Sequence, residues 1–210
     1  MKAPQRSQVR VIVLVVVLVV ALGAVGYFRF YRPQRMAARA ASSAPASTAA
    51  TQLSSKEDLW AKAEEVRTNE DWYQGQEIFQ RLALIDPANP KVYNNLGLIY
   101  KKLGKTKQAY QQYEKALAID PNYPEALNNL GSLLLADTRL NEAKEKLSRA
   151  VTLKEDYPDP YFNLGVILEA QGDAKGAINY YGEFLQRGQD LDADLRSQVE
   201  QRIKLLQRRL

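Results

Sequence analysis

The sequence predicts an all-α fold: a solenoid of helix–turn–helix units behind one N-terminal transmembrane helix, closed by a C-terminal capping helix. Three observations predict it. Leu-Gly pairs recur at a fixed interval, as Leu96-Gly97, Leu130-Gly131 and Leu164-Gly165. An uncharged apolar run covers Val11 to Phe28. Near the other end, Leu191, Leu195, Val199, Ile203, Leu206 and Leu210 keep the spacing of one helix face.

Residues 1–10 form a basic tail containing Lys2, Arg6 and Arg10. Residues 11–28 follow as the expected transmembrane helix. At 1.5 Å per residue they extend about 27 Å, close to the roughly 30 Å of a bilayer's hydrocarbon core. Tyr27, Phe28, Phe30 and Tyr31 cluster at the far end as an interfacial aromatic belt would. The run is longer than the apolar core of a signal peptide, and Arg29 and Arg32 follow at once, so retention as an anchor is expected. Cleavage in the Ala/Ser stretch beyond, releasing a soluble exported protein, is the alternative. Basic residues flank both sides of the run and nearly balance. A short basic tail before a single anchor is expected on the cytoplasmic side, which puts the repeats outside the cytoplasm. Residues 29–55 read as a tether: 36–55 hold eight Ala and five Ser, too little apolar surface to fold.

Composition excludes several kinds of chemistry. The chain has no Cys and no His, which removes thiol nucleophiles, disulfides, Cys/His zinc sites and the commonest general base. Its net charge of +5 comes from the N-terminal region. Seven of the 29 basic residues and none of the 24 acidic ones lie in residues 1–55, so the remainder is close to neutral. A nucleic-acid partner, which needs a concentrated basic face, is not expected.

The repeat occupies residues 56–189, in units beginning at 56, 90, 124 and 158. Pro90, Pro124 and Pro158 each open a unit, where the missing N–H costs little. Ala109, Ala143 and Ala177 coincide in the second half of each unit, with Tyr113, Leu147 and Tyr181 one turn later. Gly104 and Gly172 mark inter-helix turns, a place taken by Thr138 in the unit between. Small residues at 97, 109, 131, 143, 165 and 177 would let paired helices approach, and stacking would bury faces that no unit can bury alone. Residues 190–210 read as the capping helix, with Asp190 and Asp192 near its start and Arg202, Lys204, Arg208 and Arg209 near its end, matching the helix dipole.

These residues resemble the tetratricopeptide repeat (TPR) family. Residues 90–123 match its whole pattern through Tyr93, Leu96, Gly97, Tyr100, Ala109, Tyr113, Ala116 and Pro121. The unit 124–157 has Glu155 in place of the late proline, and 158–189 has Phe184 at a small-residue position. Residues 56–89 depart most, with Lys62-Ala63 for Leu-Gly, but return to the pattern at Phe79, Leu82 and Pro87. The resemblance implies helix–turn–helix units whose first helices line a concave surface, and a protein-binding role. Similar bacterial architectures serve in envelope complexes, cytochrome maturation, pilus assembly and secretion, which implies an inner-membrane protein.

No catalytic constellation emerges, and the chain is expected to be no enzyme and to carry no cofactor or metal. Gly104-Lys105-Thr106 looks like the end of a phosphate-binding loop, but Ile99 stands where such a loop needs glycine and a helix precedes it. The candidate contacts are for a protein or an extended peptide. Asn95, Asn129 and Asn163 precede the Leu-Gly pairs, and Asn94 and Asn128 form a second row. A carboxamide both donates and accepts, so a regular series could hold a peptide backbone without reading its sequence. The same asparagines could instead serve local helix packing, and both readings stand at this point. Lys91, Lys101 and Lys102 would add positive charge to one end of the surface. The expected function is a membrane-anchored interaction scaffold or assembly factor, with an exported soluble binding protein or a non-catalytic subunit of an enzyme complex as alternatives.

Overall fold

The computed structural model describes residues 55–210. The expected basic tail, the membrane span 11–28 and nearly all of the tether 29–55 lie outside the described residues. Among the described residues, no helix is long and apolar enough to cross a membrane.

The described residues hold nine helices and no strand. Four antiparallel pairs come first: α1 (Lys56–Asn69) with α2 (Trp72–Ile85), α3 (Pro90–Lys102) with α4 (Thr106–Ile119), α5 (Pro124–Ala136) with α6 (Leu140–Leu153), and α7 (Pro158–Ala170) with α8 (Ala174–Arg187). The ninth helix, α9 (Ala193–Gln207), packs against α8. Local sequence explains where the helices start and turn. Ser55 and Asp58 form a reciprocal capping box on α1, and Asp71 and Asp173 cap α2 and α8. Each pair turns through one left-handed residue at the same place in its unit: Glu70, Gly104, Thr138 and Gly172, with φ of 57°, 72°, 60° and 85°. Glycine adopts that conformation freely, whereas Glu70 and Thr138 adopt it under the constraint of the paired helices.

Glycines determine how closely the pairs approach. A Cβ on Gly97 would lie 2.6 Å from the Tyr113 ring, one on Gly131 2.7 Å from Cγ of Leu147, and one on Gly165 2.7 Å from the Tyr181 ring. The large residue four places after each repeated alanine therefore rests directly on the glycine backbone of its partner helix. Tyr113, Leu147, Tyr181 and the three alanines are almost fully buried. The first unit has Ala63 at the glycine position, opposite Phe79, and its helices pack less intimately than those of the other three pairs.

Between units, each second helix packs on the first helix of the next pair, and the first helices also touch: α3 meets α5, and α5 meets α7. The second helices make no comparable contact with one another. The stack therefore curves toward the first helices, and their outer stripe forms its inner, concave face.

The capping helix closes the core. Val199 and Leu206 are buried, while Leu191, Leu195 and Ile203 are partly buried against the last pair. The apolar stripe ends there: Leu210 follows the C-cap Arg208 and is exposed. Phe184, the bulky departure from the repeat, is buried against Phe162, with ring centroids 5.2 Å apart. Arg202 does not serve the helix dipole. It turns inward and grips the buried Glu169 of α7 with both Nε (2.8 Å) and a terminal guanidinium nitrogen, and the Tyr181 hydroxyl donates to the same carboxylate at 3.0 Å.

Candidate peptide-binding face

The inner face is a set of columns that climb the first helices at one residue per unit. The lowest column is Lys91, Glu125 and Asp159; the next is Asn95, Asn129 and Asn163; above these stand Leu98 and Ser132, whereas the equivalent Val166 is buried in the core. Proline opens α3, α5 and α7 at the same place in each unit, so positions one repeat apart lie on the same face of their helices.

The two asparagine rows differ in what surrounds them. Asn94 and Asn128 are buried, at 6% and 5% exposure. Asn128 donates to the Tyr157 hydroxyl at 2.9 Å and accepts at its Oδ1 from Nδ2 of Asn163 at 3.0 Å. Asn94 repeats the device one unit earlier, accepting from Nδ2 of Asn129 at 2.9 Å and sharing a hydrogen bond with Tyr123. Each buried asparagine thus links the tyrosine that leads into the next first helix to the outer asparagine on that helix. This places Asn94 and Asn128 inside the joint between units, with their amides already engaged. They drop out of the set available to a peptide.

Asn95, Asn129 and Asn163 remain at the half-buried outer position. Asn129 and Asn163 each use one N–H on the inner row, and their carbonyl oxygens make no hydrogen bond to the described residues. Asn95 makes no hydrogen bond to the described residues, because the position that Asn94 and Asn128 fill in later units is Trp60 in the first. The packing reading accounts for the inner row, whereas the outer row keeps hydrogen-bonding groups that no described residue uses.

Charge divides the face. Lys91 and Lys101 are exposed on α3; Lys91 lies over the Trp60 ring at 5.0 Å, and Lys102 lies over Trp72 at 5.4 Å. Lys101 donates to the Ser132 hydroxyl at 3.2 Å. The protein crowded around Lys101 lowers its pKa, and the charge of Asp159 opposes that shift. The same crowding raises the pKa of Asp159, against the pull of the Tyr157 hydroxyl and of Lys101. Glu125 pairs with Lys154 at 2.9 Å. The face runs from cationic on α3 to anionic on α5 and α7.

Sequence reasoning missed Tyr123 and Tyr157, the partners of the inner row. Their signal was available: both immediately precede the opening proline of a unit, one repeat apart. The Gly104-Lys105-Thr106 string is the turn between α3 and α4, where Lys105 donates to Gln76 at 2.9 Å.

A curved stack of helix pairs with a polar inner stripe is an α-solenoid, a class that presents an extended concave surface. Family models described as tetratricopeptide repeat match residues 90–123, 112–145 and 158–187, and one described as TPR repeat matches 139–172. Residues 90–187 of this chain therefore belong to the tetratricopeptide repeat family.

Solved structures share the fold. MamA is 21% identical with a TM-score of 0.55, over 73% of this chain and 86% of that one. The Pseudomonas aeruginosa protein pilF is 20% identical with a TM-score of 0.61, over 73% and 72%. YrrB, described as a TPR protein with an unusual peptide-binding site, is 17% identical with a TM-score of 0.56, over 70% and 75%. No curated protein sequence matches the chain.

Proposed function

We propose that this chain is a non-enzymatic, membrane-anchored scaffold that holds an extended segment of a client protein along the inner face of its repeats. The observation that carries the reading is the outer asparagine column, whose carbonyl oxygens at Asn129 and Asn163 and whole amide at Asn95 stay free of the joint between units. Helices pack roughly 8–10 Å apart and an extended chain rises about 3.3 Å per residue, so successive asparagines would meet about every third client residue. Backbone pairing of this kind fits a client of loose sequence requirement, with Lys91 and Lys101 setting its polarity. The peptide-binding site in the description of YrrB supports the same use of the fold.

The anchor is part of the proposal. Residues 11–28 would hold the chain in a bacterial inner membrane with the repeats on the extracytoplasmic side, and residues 29–55 would stand them off the bilayer. No nucleic-acid partner belongs to this reading, because the positive charge flanks the apolar run. The rival, a soluble exported protein, rests on the small residues after that run.

Photo-crosslinking in cells tests the binding face. A photoreactive side chain at Ser132, on the inner face, should give discrete client adducts, and one at Glu145, exposed on α6, should give none. Adducts from Glu145 alone would move the site to the outer face. Carbonate washing and the mature N-terminus test the anchor: the chain should stay with membranes, and an N-terminus beyond Ala41 would establish cleavage.

A further inference from the structure

The far end of α9 combines two features that closing the core does not require. Residues 201–210 contain four basic residues, Arg202, Lys204, Arg208 and Arg209, and no acidic one. Arg202 is paired with the buried Glu169. The side chains of Lys204, Arg208 and Arg209 are exposed and form no ion pair with the described residues. Interleaved with them are Leu205 and Leu210, 45% and 67% exposed, two of the six large apolar side chains left exposed among the described residues. The helix dipole accounts for cations in the last turn, but it gives no reason to expose leucines.

Helical spacing puts these groups together. Lys204, Leu205 and Arg208 share the outer face of α9, opposite the side that buries Val199 and Leu206. Arg209 and Leu210 continue past the C-cap Arg208. Lys175, exposed in the first turn of α8, joins them: with Arg209 and Leu210 it lines an open cavity of about 370 Å³. Asp173 lines the same cavity but serves as the N-cap of α8, accepting from the Gly176 N–H at 2.8 Å. The nearest acid along α9 is Glu200, one turn before Lys204, and Asp192 and Asp194 lie at the opposite end. The tip therefore presents four cations around two exposed leucines.

We propose that this tip is a second membrane contact, docking on a bilayer that carries anionic phospholipid. Lys175, Lys204, Arg208 and Arg209 meet the headgroup phosphates, and Leu205 and Leu210 enter the interface. The proposal rests on the anchor reading for the nearness of the bilayer, and not on the peptide-binding groove. Each basic residue near an anionic surface strengthens attachment about fivefold, and the apolar side chains add to it. A patch of this size holds weakly by itself. On a chain already held by residues 11–28, a second contact needs little affinity of its own. Reach is sufficient: residues 29–55 can extend to about 90 Å, whereas nine helices in a single row at roughly 10 Å spacing would cover about 80 Å. A bilayer close at hand and leucines set among the cations favour a lipid surface over an acidic protein.

The chain has no Cys, so one introduced cysteine gives a unique label. The full chain with Gln207→Cys, carrying a fluorophore, is reconstituted in vesicles whose spin-labelled phospholipid quenches only at contact. With phosphatidylglycerol in the vesicles the label should be quenched; with phosphatidylcholine alone, or at raised salt, it should stay bright. A label at Glu145→Cys, exposed on α6, should stay bright in both lipids. Arg208→Gln with Arg209→Gln should lower the ratio of docked to undocked tips roughly 25-fold. Leu205→Ser with Leu210→Ser should lower it too, which a dipole role for the cations would not produce. Both double variants should keep the wild-type melting temperature. Flotation of the vesicles reports the anchor separately: failure to float with phosphatidylcholine would overturn the anchor, and flotation restored by phosphatidylglycerol would still support the tip. Quenching that is equal in the two lipids, or absent from both, would overturn the tip contact. Protein adducts from a photoreactive side chain at Leu205 in cells would then assign the tip to an acidic partner.

Discussion

At the scale of single residues, the chain separates positions that carry the stack from positions that face outward, and adjacent residues can belong to different classes. Gly131 carries the stack. Its α-carbon lies so near Leu147 that Gly131→Leu must overpack the joint, at a cost of about 1–3 kcal/mol. Gly182 on α8 has open space where a Cβ would go, so Gly182→Ala should raise stability by about 0.4–1 kcal/mol by restricting the unfolded chain. Thermal melts of the two variants should move in opposite directions. The asparagines divide similarly. Asn128→Ala removes a buried amide that bonds both the Tyr157 hydroxyl and the Asn163 amide, which should cost about 1–3 kcal/mol. Asn163→Ala removes one bond from a half-buried site and should cost about 0.5–1.5 kcal/mol. Chemical denaturation measures both; equal losses would mean that the outer row is as structural as the inner one.

At the scale of elements, α9 is bound to the solenoid by polar contacts as well as by Val199 and Leu206. Glu169 is almost enclosed by protein, and it is tolerated there because Arg202 and the Tyr181 hydroxyl satisfy its oxygens. Arg202→Ala leaves that buried carboxylate with the Tyr181 hydroxyl but no countercharge and should destabilise the protein by about 3 kcal/mol, with loss of helical signal as α9 detaches. Arg208→Ala, past the end of the helix and exposed, should change stability by no more than about 0.5 kcal/mol. Circular dichroism melts of the pair measure the difference. Comparable losses would show that α9 is held by its apolar stripe rather than by the buried ion pair.

At the scale of the whole molecule, stability is a sum of units and of the joints between neighbours. The joints share a titratable part. Burial and the nearby Glu125 push the Tyr123 phenol up to about 12, and burial with Asp159 and Glu125 pushes Tyr157 upward as well. Burial beside Glu169 raises Tyr181 in the same direction. In the unfolded chain these phenols ionise near pH 10. Above that pH the unfolded state holds fewer protons than the folded one, so stability falls as pH rises. The loss should begin near pH 10 and continue through about 12, at up to about 1.4 kcal/mol per pH unit for each tyrosine, and be absent at neutral pH. Denaturation midpoints across this range measure it, and Tyr123→Phe should flatten the curve. A midpoint independent of alkaline pH in the wild type would contradict the proposed joints.

The repeat interval and the helix-internal faces were legible in the sequence, for a physical reason. A helix repeats every 3.6 residues, so spacing alone says which residues share a face, and a 34-residue period says which faces are equivalent. Gly97, Gly131 and Gly165 could thus be read as points of close approach, and the structure supplies the side chain that meets each one. What spacing could not supply is the relation between units. Asn94 and Asn95 are neighbours with the same side chain, yet one is sealed in a joint and the other faces the groove. The asparagine–asparagine bonds in the joints join residues 35 apart, one more than the repeat, the asparagine–tyrosine bond spans 29, and Arg202 reaches Glu169 across 33. Such offsets depend on how far one helix pair rotates and shifts against the next. That rotation is set by the packing of side chains from three helices at once, so only the tertiary structure could decide which asparagines are sealed in the joints and which stand on the inner face.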